Sequence, residues 1–150
     1  IRTYQELIAK TQLISQPIVI PIICVTGEKH TVLSATSELN QFLLNAGYPC
    51  KSFYYGDMAI YSYSNIDWIP RSVPIEKLLA FHVALLELSL VLVVNDMTQD
   101  IFEIADAHIC FSPIAKRNRY DGDNITIPQN YTVENLKCAV KYIEKIGSEE

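Results

Sequence analysis

The chain has 150 residues, of which 49% are apolar and 19% are charged, and its formal net charge is −5. This length suffices for one domain with a hydrophobic core, and the composition excludes an intrinsically disordered chain. The acidic balance and the scattered lysines and arginines argue against nucleic acid as a partner. No apolar run reaches the roughly 18 residues of a membrane span and no signal peptide is recognisable, so no membrane partner is predicted.

The first half of the chain alternates helical and extended patterns. Apolar residues on one side of Thr3–Ile14 predict a helix, and the β-branched run Ile18–Val25 predicts a strand buried on both faces. Apolar residues spaced by three and four then predict a helix that ends at Gly47, and Cys50–Tyr55 follows as a second strand.

The second half continues this alternation. In chain order we expect a loop over Met58–Val73 with one short strand near Ile60–Tyr63, a helix from Pro74 to about Leu88, a strand at Leu90–Val94, a helix at Thr98–Ala105, a strand at Ala107–Phe111, a loop over Ser112–Tyr131, and a last helix capped by Thr132. Strands that alternate with helices predict a three-layer, Rossmann-like α/β domain with a mostly parallel sheet and Ile18–Val25 at its centre.

The four cysteines form no Cys-x-x-Cys pair, so they predict no metal site. Cys24, Cys110 and Cys138 lie inside apolar patterns, which predicts free buried thiols. Free thiols favour a reducing compartment, and we expect a cytoplasmic location. Because the chain begins with Ile1 rather than Met, we interpret residues 1–150 as one α/β domain at the C-terminal end of a longer chain.

The segment Thr26–Thr31 joins the central strand to its helix, which is where α/β proteins bind phosphates. A phosphate loop needs glycines that let the backbone wrap the phosphates, followed by Lys-Thr or Lys-Ser. This segment has one glycine, a carboxylate at Glu28, and His30 between the lysine and the threonine. The sequence therefore predicts a P-loop-type topology with a degenerate loop and no catalytic residues, and the vestigial nucleotide-binding residues are Thr26, Gly27, Lys29 and Thr31.

Carboxylates follow two other predicted strands, at Asp57 and Asp96. Both belong to the carboxyl edge of a parallel sheet, so a vestigial Mg²⁺ site there is one interpretation. The alternative is that Asp57 is a turn residue and Asp96 caps the next helix. His82 and His108 are interpreted as structural residues.

From residue 18 onward the chain resembles the central domain of the Mur ligases, and especially the C-terminal ligase-like domain of cyanophycin synthetases. Ile20–Gly27 is similar to the Ile-Pro-Ile strand and Val-Thr-Gly of that family, whereas Glu28–Thr31 departs from its Asn-Gly-Lys-Thr-Thr. Asn95-Asp96 falls near the family's magnesium-binding Glu. Further segments that resemble family motifs are Ala46–Tyr48, Asp57–Tyr61, Asp106–Ile114 and Thr132–Leu136.

Such ligases phosphorylate a carboxylate with ATP and Mg²⁺ and join the acyl phosphate to an amine. The resemblance implies a parent protein of this kind that uses ATP and Mg²⁺, while the departures at Glu28–Thr31 predict that this domain binds neither. We expect a catalytically degenerate domain with a structural and oligomerisation role, whose partners are other domains of the same chain and further copies of it.

Two alternatives remain open. Thr26–Lys29 also resembles the Thr-Gly-Asp-Lys of the phosphorylation domain of P-type ATPases, of haloacid dehalogenase type, with Lys77 upstream of Asp96 and Asp100. The glycines of its Gly-Asp-Gly motif and any Asp-Lys-Thr-Gly nucleophile motif are missing. The other alternative is an autonomous small-anion binder that uses Lys29, Thr31 and Arg117, since Lys116, Arg117 and Arg119 could meet an anion or form a solvated loop.

Overall fold

A computed structural model describes residues 20–56, 63–72, 88–95 and 105–148. The described elements are seven strands and two helices, namely β1 (Ile22–Thr26), α1 (Lys29–Asn45), β2 (Cys50–Gly56), β3 (Ile66–Pro70), β4 (Leu90–Asn95), β5 (Ala107–Ser112), β6 (Arg119–Asp121), β7 (Asn124–Pro128) and α2 (Val133–Ser148). Neither helix is long and apolar enough to cross a membrane.

The strands form one sheet in the order β3-β2-β4-β1-β5-β7-β6. Every neighbouring pair is parallel except β6 and β7, which are antiparallel. The predicted α/β class, the mostly parallel sheet and the central position of β1 are confirmed. The carboxyl ends of β1, β2, β4, β5 and β7 therefore meet at one edge, which we call the carboxyl edge.

Both faces of the sheet carry apolar clusters. The larger one joins inward residues of the strands, such as Ile23 and Ile109, to Leu39 of α1 and Leu136 of α2. The smaller one lies on the opposite face and includes Cys24, Val93 and other residues of β1–β4. Burial on both faces explains why β1 and β4 are continuous apolar runs.

Local signals determine both ends of α1. Glu28 precedes the helix with extended backbone (φ −65°, ψ 135°) and caps it with its side chain. At the other end, the N–H of Gly47 donates to the Leu44 carbonyl and that of Tyr48 to the Leu43 carbonyl, at 3.0 and 2.9 Å. These two bonds form a Schellman motif, and the φ of +93° at Gly47 explains why glycine is there. The predicted end of this helix is confirmed.

The last helix begins with a reciprocal cap. The Asn135 N–H donates to the Thr132 hydroxyl at 3.3 Å, and the Thr132 N–H donates to the Asn135 side-chain oxygen at 2.8 Å. The geometry is that of a capping box with Asn in the place of the usual Glu or Gln. Thr132 is confirmed as the cap.

The expected loop over Ser112–Tyr131 was wrong, because β6 and β7 form a hairpin within it. The reason is visible in the residues: Ile125 and Ile127 alternate with polar residues and are buried, which is the pattern of a strand with one covered face. Gly122, with φ of +59°, lies in the turn.

Other boundaries also needed correction. The strand after β2 runs over Ile66–Pro70, and Tyr63 is not in a strand. Pro21 precedes β1 because proline lacks the N–H that a central strand donates, and neither Leu88 nor Ala105 is helical. The predicted helix Thr3–Ile14 and most of the predicted helices Pro74–Leu88 and Thr98–Ala105, with His82, lie outside the described residues.

The burial of the four cysteine thiols differs in part from the prediction. Cys24 is buried as expected, but Cys110 and Cys138 are exposed. Cys110 alternates with Ile109 and Phe111, so it faces away from the helices, on a part of the sheet that the smaller cluster does not cover. Cys50 is buried as well, and burial raises the pKa of its thiol to about 11, which keeps it protonated and unreactive.

Candidate functional site

The turn between β1 and α1 is much shorter than a phosphate loop. Only Gly27 and Glu28 separate Thr26, the last residue of β1, from Lys29, the first of α1. A loop that wraps a triphosphate spans about eight residues from its first glycine to its Ser or Thr, whereas the segment from Gly27 to Thr31 is only Gly-Glu-Lys-His-Thr. This turn therefore has too little backbone to surround phosphates, although it lies at the carboxyl edge as predicted.

Gly27 is required by packing as well as by conformation. Its φ is +148°, a value that L residues with side chains rarely adopt. A Cβ at this position would lie 3.0 Å from the Phe111 Cβ, 3.0 Å from the Val32 Cγ1 and 3.1 Å from the Phe111 carbonyl oxygen. The glycine thus lets the turn pack against Phe111 of β5, at a position that has no room for a side chain.

The carboxylate of Glu28 occupies the amino end of α1. The Thr31 N–H and the Thr31 hydroxyl both donate to Glu28 Oε2, each at 2.9 Å. The pKa of the Glu28 carboxyl lies below its ordinary value. The main cause is the Thr31 N–H, followed by the His30 N–H and the Thr31 hydroxyl. The Glu28 carboxylate therefore occupies the Thr31 N–H and hydroxyl, two groups that a phosphate at this end of the helix would otherwise use.

The side chain of Lys29 contacts an aromatic ring. Its Nζ lies 5.4 Å from the centroid of Tyr54, a residue of β2. This is cation–π geometry, and it directs the ammonium group across the sheet edge towards β2. The Lys29 and Thr31 pair that the sequence singled out is present, but each side chain already has an intramolecular partner.

The other residues that the sequence singled out are Asp57, Asp96, Lys77, Asp100 and Arg117. Asp57 and Asp96, like Lys77 and Asp100 of the ATPase alternative, lie outside the described residues. In the described part of the chain, no hydrogen bond joins Arg117 to Thr31, and no three His, Cys, Asp or Glu residues are grouped to hold a metal ion.

His108 lies half-buried on β5 beside the hairpin. Burial lowers the pKa of its imidazole, and the nearby charge of Asp123 opposes that shift. Tyr131 connects the start of α2 to α1, because its hydroxyl donates to Ser34 Oγ at 3.0 Å. Burial raises the pKa of this phenol, so it remains a donor at neutral pH. The Tyr131–Ser34 hydrogen bond is thus a structural contact, and the interpretation of His108 as a structural residue stays a prediction.

Sequence reasoning missed a cavity of about 480 Å³ at the end of β5 beside the hairpin. Its lining residues are Ser112, Ile114, Ala115, Arg119, Tyr120, Asp121 and Thr126. A signal was present in the sequence: the pair Gly122-Asp123 before the alternating residues of Asn124–Pro128 is typical of a two-residue hairpin turn. Because β7 pairs with β5, the hairpin leaves Arg119 and Asp121 on the outer strand β6, where both line the cavity.

Comparison of the chain with protein-family models, with curated proteins and with solved structures finds no match.

The capping carboxylate predicts a defined pH dependence of stability. Because the pKa of Glu28 is lower in the folded chain than its ordinary value of 4.5, its contribution is fully present above that value. The contribution disappears as the pH falls through the lowered pKa. We expect Glu28→Gln to be less stable than the wild type at pH 7, with the difference shrinking towards pH 3, in urea titrations at several pH values.

Glu134→Gln is the matched control for this prediction. Glu134 also lies in the first turn of a helix, but its one ion pair among the described residues is with Lys137, at 3.9 Å on the surface. Its stability difference from the wild type should be small at every pH. A Glu28→Gln difference that stays constant between pH 7 and pH 3 would contradict the assignment of the cap to a charged carboxylate.

Proposed function

We propose that this chain is a non-catalytic α/β domain with a structural and oligomerisation role in a longer, cytoplasmic, ATP-dependent amide-bond ligase. The observation that carries the proposal is the Glu28 carboxylate bound to the N–H and hydroxyl of Thr31, both at 2.9 Å. ATP and Mg²⁺ would be used by a neighbouring domain of the same parent protein.

The length of the turn supports loss of nucleotide binding. Two residues, Gly27 and Glu28, connect β1 to α1, so few free backbone N–H groups can converge on a phosphate. The position that packs against Phe111 is filled by protein, since even one added Cβ would meet atoms at 3.0 Å. A bound triphosphate would require this turn to be rebuilt.

Charge supports the same conclusion. A phosphate at the amino end of α1 would lie beside the Glu28 carboxylate, and at about 4 Å two such charges repel by roughly 1 kcal/mol even in water. The phosphate would also have to displace Glu28 from Thr31. The binding that the helix dipole offers an anion, typically about 0.3–1 kcal/mol, is already used by Glu28.

The preserved core supports a structural role. Both faces of the sheet retain buried apolar clusters, and the residues that contribute to them include Ile23, Leu39, Val93, Ile109 and Leu136. A domain that keeps its hydrophobic core but lacks the features of a phosphate loop is expected to have a structural role rather than a catalytic one. The resemblance of Ile20–Gly27 to the Mur ligase strand is the basis for placing this domain in a ligase. The proposed product of that ligase is a cyanophycin-like polymer of aspartate and arginine.

Titration of the chain with Mg-ATP by calorimetry tests the first half of the proposal. We expect no measurable heat of binding up to millimolar nucleotide. Lys29→Ala should give the same trace as the wild type, because Lys29 is engaged by Tyr54 at 5.4 Å. Binding with a dissociation constant in the low micromolar range, lost in Lys29→Ala, would overturn the proposal and indicate that the domain is an active ligase domain.

The parent protein tests the second half. Lys29→Ala in the full-length parent should leave polymer synthesis unchanged, whereas deletion of residues 1–150 should reduce the oligomeric state measured by light scattering. If Lys29→Ala abolishes synthesis while the assembly stays intact, the structural role is refuted. If the deletion changes neither assembly nor stability, the oligomerisation role is refuted as well.

A further inference from the structure

The hairpin places a row of polar side chains on the sheet face that α1 and α2 do not cover. In the sheet register Arg119 is opposite Thr126, and Thr126 is opposite Cys110. Side chains of directly paired residues project from the same face, so these three lie side by side across β6, β7 and β5. Asp121, Asn124 and His108 form the next row by the same pairing.

The buried residues of these strands confirm which face this is. Ile109 and Ile125 alternate with the polar residues and belong to the cluster shared with both helices. Tyr120 also lies on the helix side, where its ring contacts Tyr142 of α2 at a centroid distance of 5.4 Å. The polar rows therefore occupy the opposite face, where Cys110 is exposed.

The cavity of about 480 Å³ combines charges of both signs with apolar surface. Arg119 and Asp121 are two residues apart on β6 and share a face, which separates their Cα atoms by roughly 7 Å. Among the described residues, no hydrogen bond or ion pair engages either charged group. Ile114 lines the same cavity with a large apolar side chain that is 88% exposed.

We propose that this cavity binds a small zwitterion, an α-amino acid with an apolar side chain. Arg119 supplies a planar pair of donors for the carboxylate, and Asp121 supplies an acceptor for the ammonium group. The ligand side chain packs against Ile114 and Ala115. A volume of about 480 Å³ is within the range of small-molecule sites, and a zwitterion is the ligand that satisfies both charges at once.

A ligand with only one charge fits the cavity less well. A phosphate or a simple carboxylate would pair with Arg119 but would leave Asp121 as a like charge beside it, which weakens binding. A simple amine would pair with Asp121 but would lie beside Arg119, which carries the same charge. Ser112 adds a hydroxyl whose oxygen accepts from the Ile114 N–H at 3.3 Å, so its proton remains available to a ligand carboxylate.

The test is a titration of the 15N-labelled chain with L-leucine, followed by the backbone amide shifts of residues 112–126. We expect saturable shifts confined to the cavity, with a dissociation constant of roughly 1 mM because both charged groups are exposed. N-acetyl-L-leucine lacks the ammonium group and L-leucinamide lacks the carboxylate. Each should bind about tenfold more weakly than leucine.

Substitutions identify the two charges. Arg119→Gln and Asp121→Asn should each weaken leucine binding about tenfold, and Asp121→Asn should also abolish the preference for leucine over its N-acetyl derivative. Arg117→Gln is the matched control, because Arg117 does not line the cavity, and it should leave binding unchanged. Absence of shifts at 10 mM leucine, or equal binding of leucine and either analogue, overturns the proposal.

Discussion

Leu39→Ala is expected to lower the free energy of unfolding by about 3 kcal/mol. Leu39 lies in the middle of α1, is fully buried, and belongs to the cluster that joins both helices to the sheet. Truncation removes three carbons from a site that cannot collapse freely, since strands press on it from one side and the rest of α1 holds the backbone. The loss therefore includes a cavity term in addition to the lost transfer free energy.

Leu44 offers a matched control on the same helix. It is the same residue type near the end of α1, but it is 44% exposed. Leu44→Ala should change the free energy of unfolding by less than about 1 kcal/mol. Urea unfolding followed by circular dichroism measures both variants. Equal losses for the two substitutions would show that α1 does not pack on the sheet as described.

Gly27→Ala should also destabilise the chain by about 3 kcal/mol, for a different reason. The backbone of Gly27 has φ of +148°, and holding a residue with a side chain in such a region costs about 1–3 kcal/mol. The added Cβ would in addition meet the Phe111 Cβ and carbonyl oxygen at 3.0 and 3.1 Å. Overpacking of this kind costs about 1–3 kcal/mol more.

Gly47→Ala separates the two contributions. Gly47 also has a positive φ, +93°, but a Cβ there would meet nothing within 4 Å. Its substitution should cost only about 1–2 kcal/mol, the strain alone. The excess loss in Gly27→Ala measures the close approach of the β1–α1 turn to β5. If thermal unfolding gives Gly27→Ala the smaller loss, the turn does not contact Phe111.

The apolar runs made much of the fold predictable. Ile22–Val25 and Leu90–Val94 are continuous because both of their faces are covered, and such runs are easy to recognise in a sequence. Capping residues were equally informative, as Thr132 and Gly47 mark helix ends through bonds made within a few residues. Short polar strands were not predicted, because β6 has three exposed residues and its pairing with β7 depends on contacts that composition does not reveal.

The candidate site was predictable in its position and not in its contacts. The sequence located Thr26–Thr31 at the carboxyl edge and identified Glu28 as an unfavourable residue for phosphate. It could not show that Glu28 folds back onto Thr31, since that depends on the backbone of a two-residue turn. The cavity beside the hairpin was missed because its lining comes from the segment after β5 and from three strands whose adjacency follows from the sheet order.

Buried polar residues illustrate the same limit. Asn40 of α1 accepts hydrogen bonds at one side-chain oxygen from Ser52 at 2.8 Å and from Cys50 at 3.4 Å, and all three are buried. In the sequence, Asn40 lies between apolar helix positions and carries no sign of its partners on β2. Such a cluster specifies how α1 sits on β2, because any shift along the strand would leave buried polar groups unpaired.

The sheet order also has a consequence for how the chain folds during synthesis. β1 and β2 are consecutive in sequence, yet β4 lies between them, and the second neighbour of β1 is β5. A nascent chain that ends after Gly56 therefore holds two strands that cannot pair with each other in the native register. The central strand β1 can pair with both of its neighbours, β4 and β5, only after Ser112 has left the ribosome. The amino-terminal half of the chain is therefore not an independent folding unit, because its assembly depends on contacts that are distant in sequence.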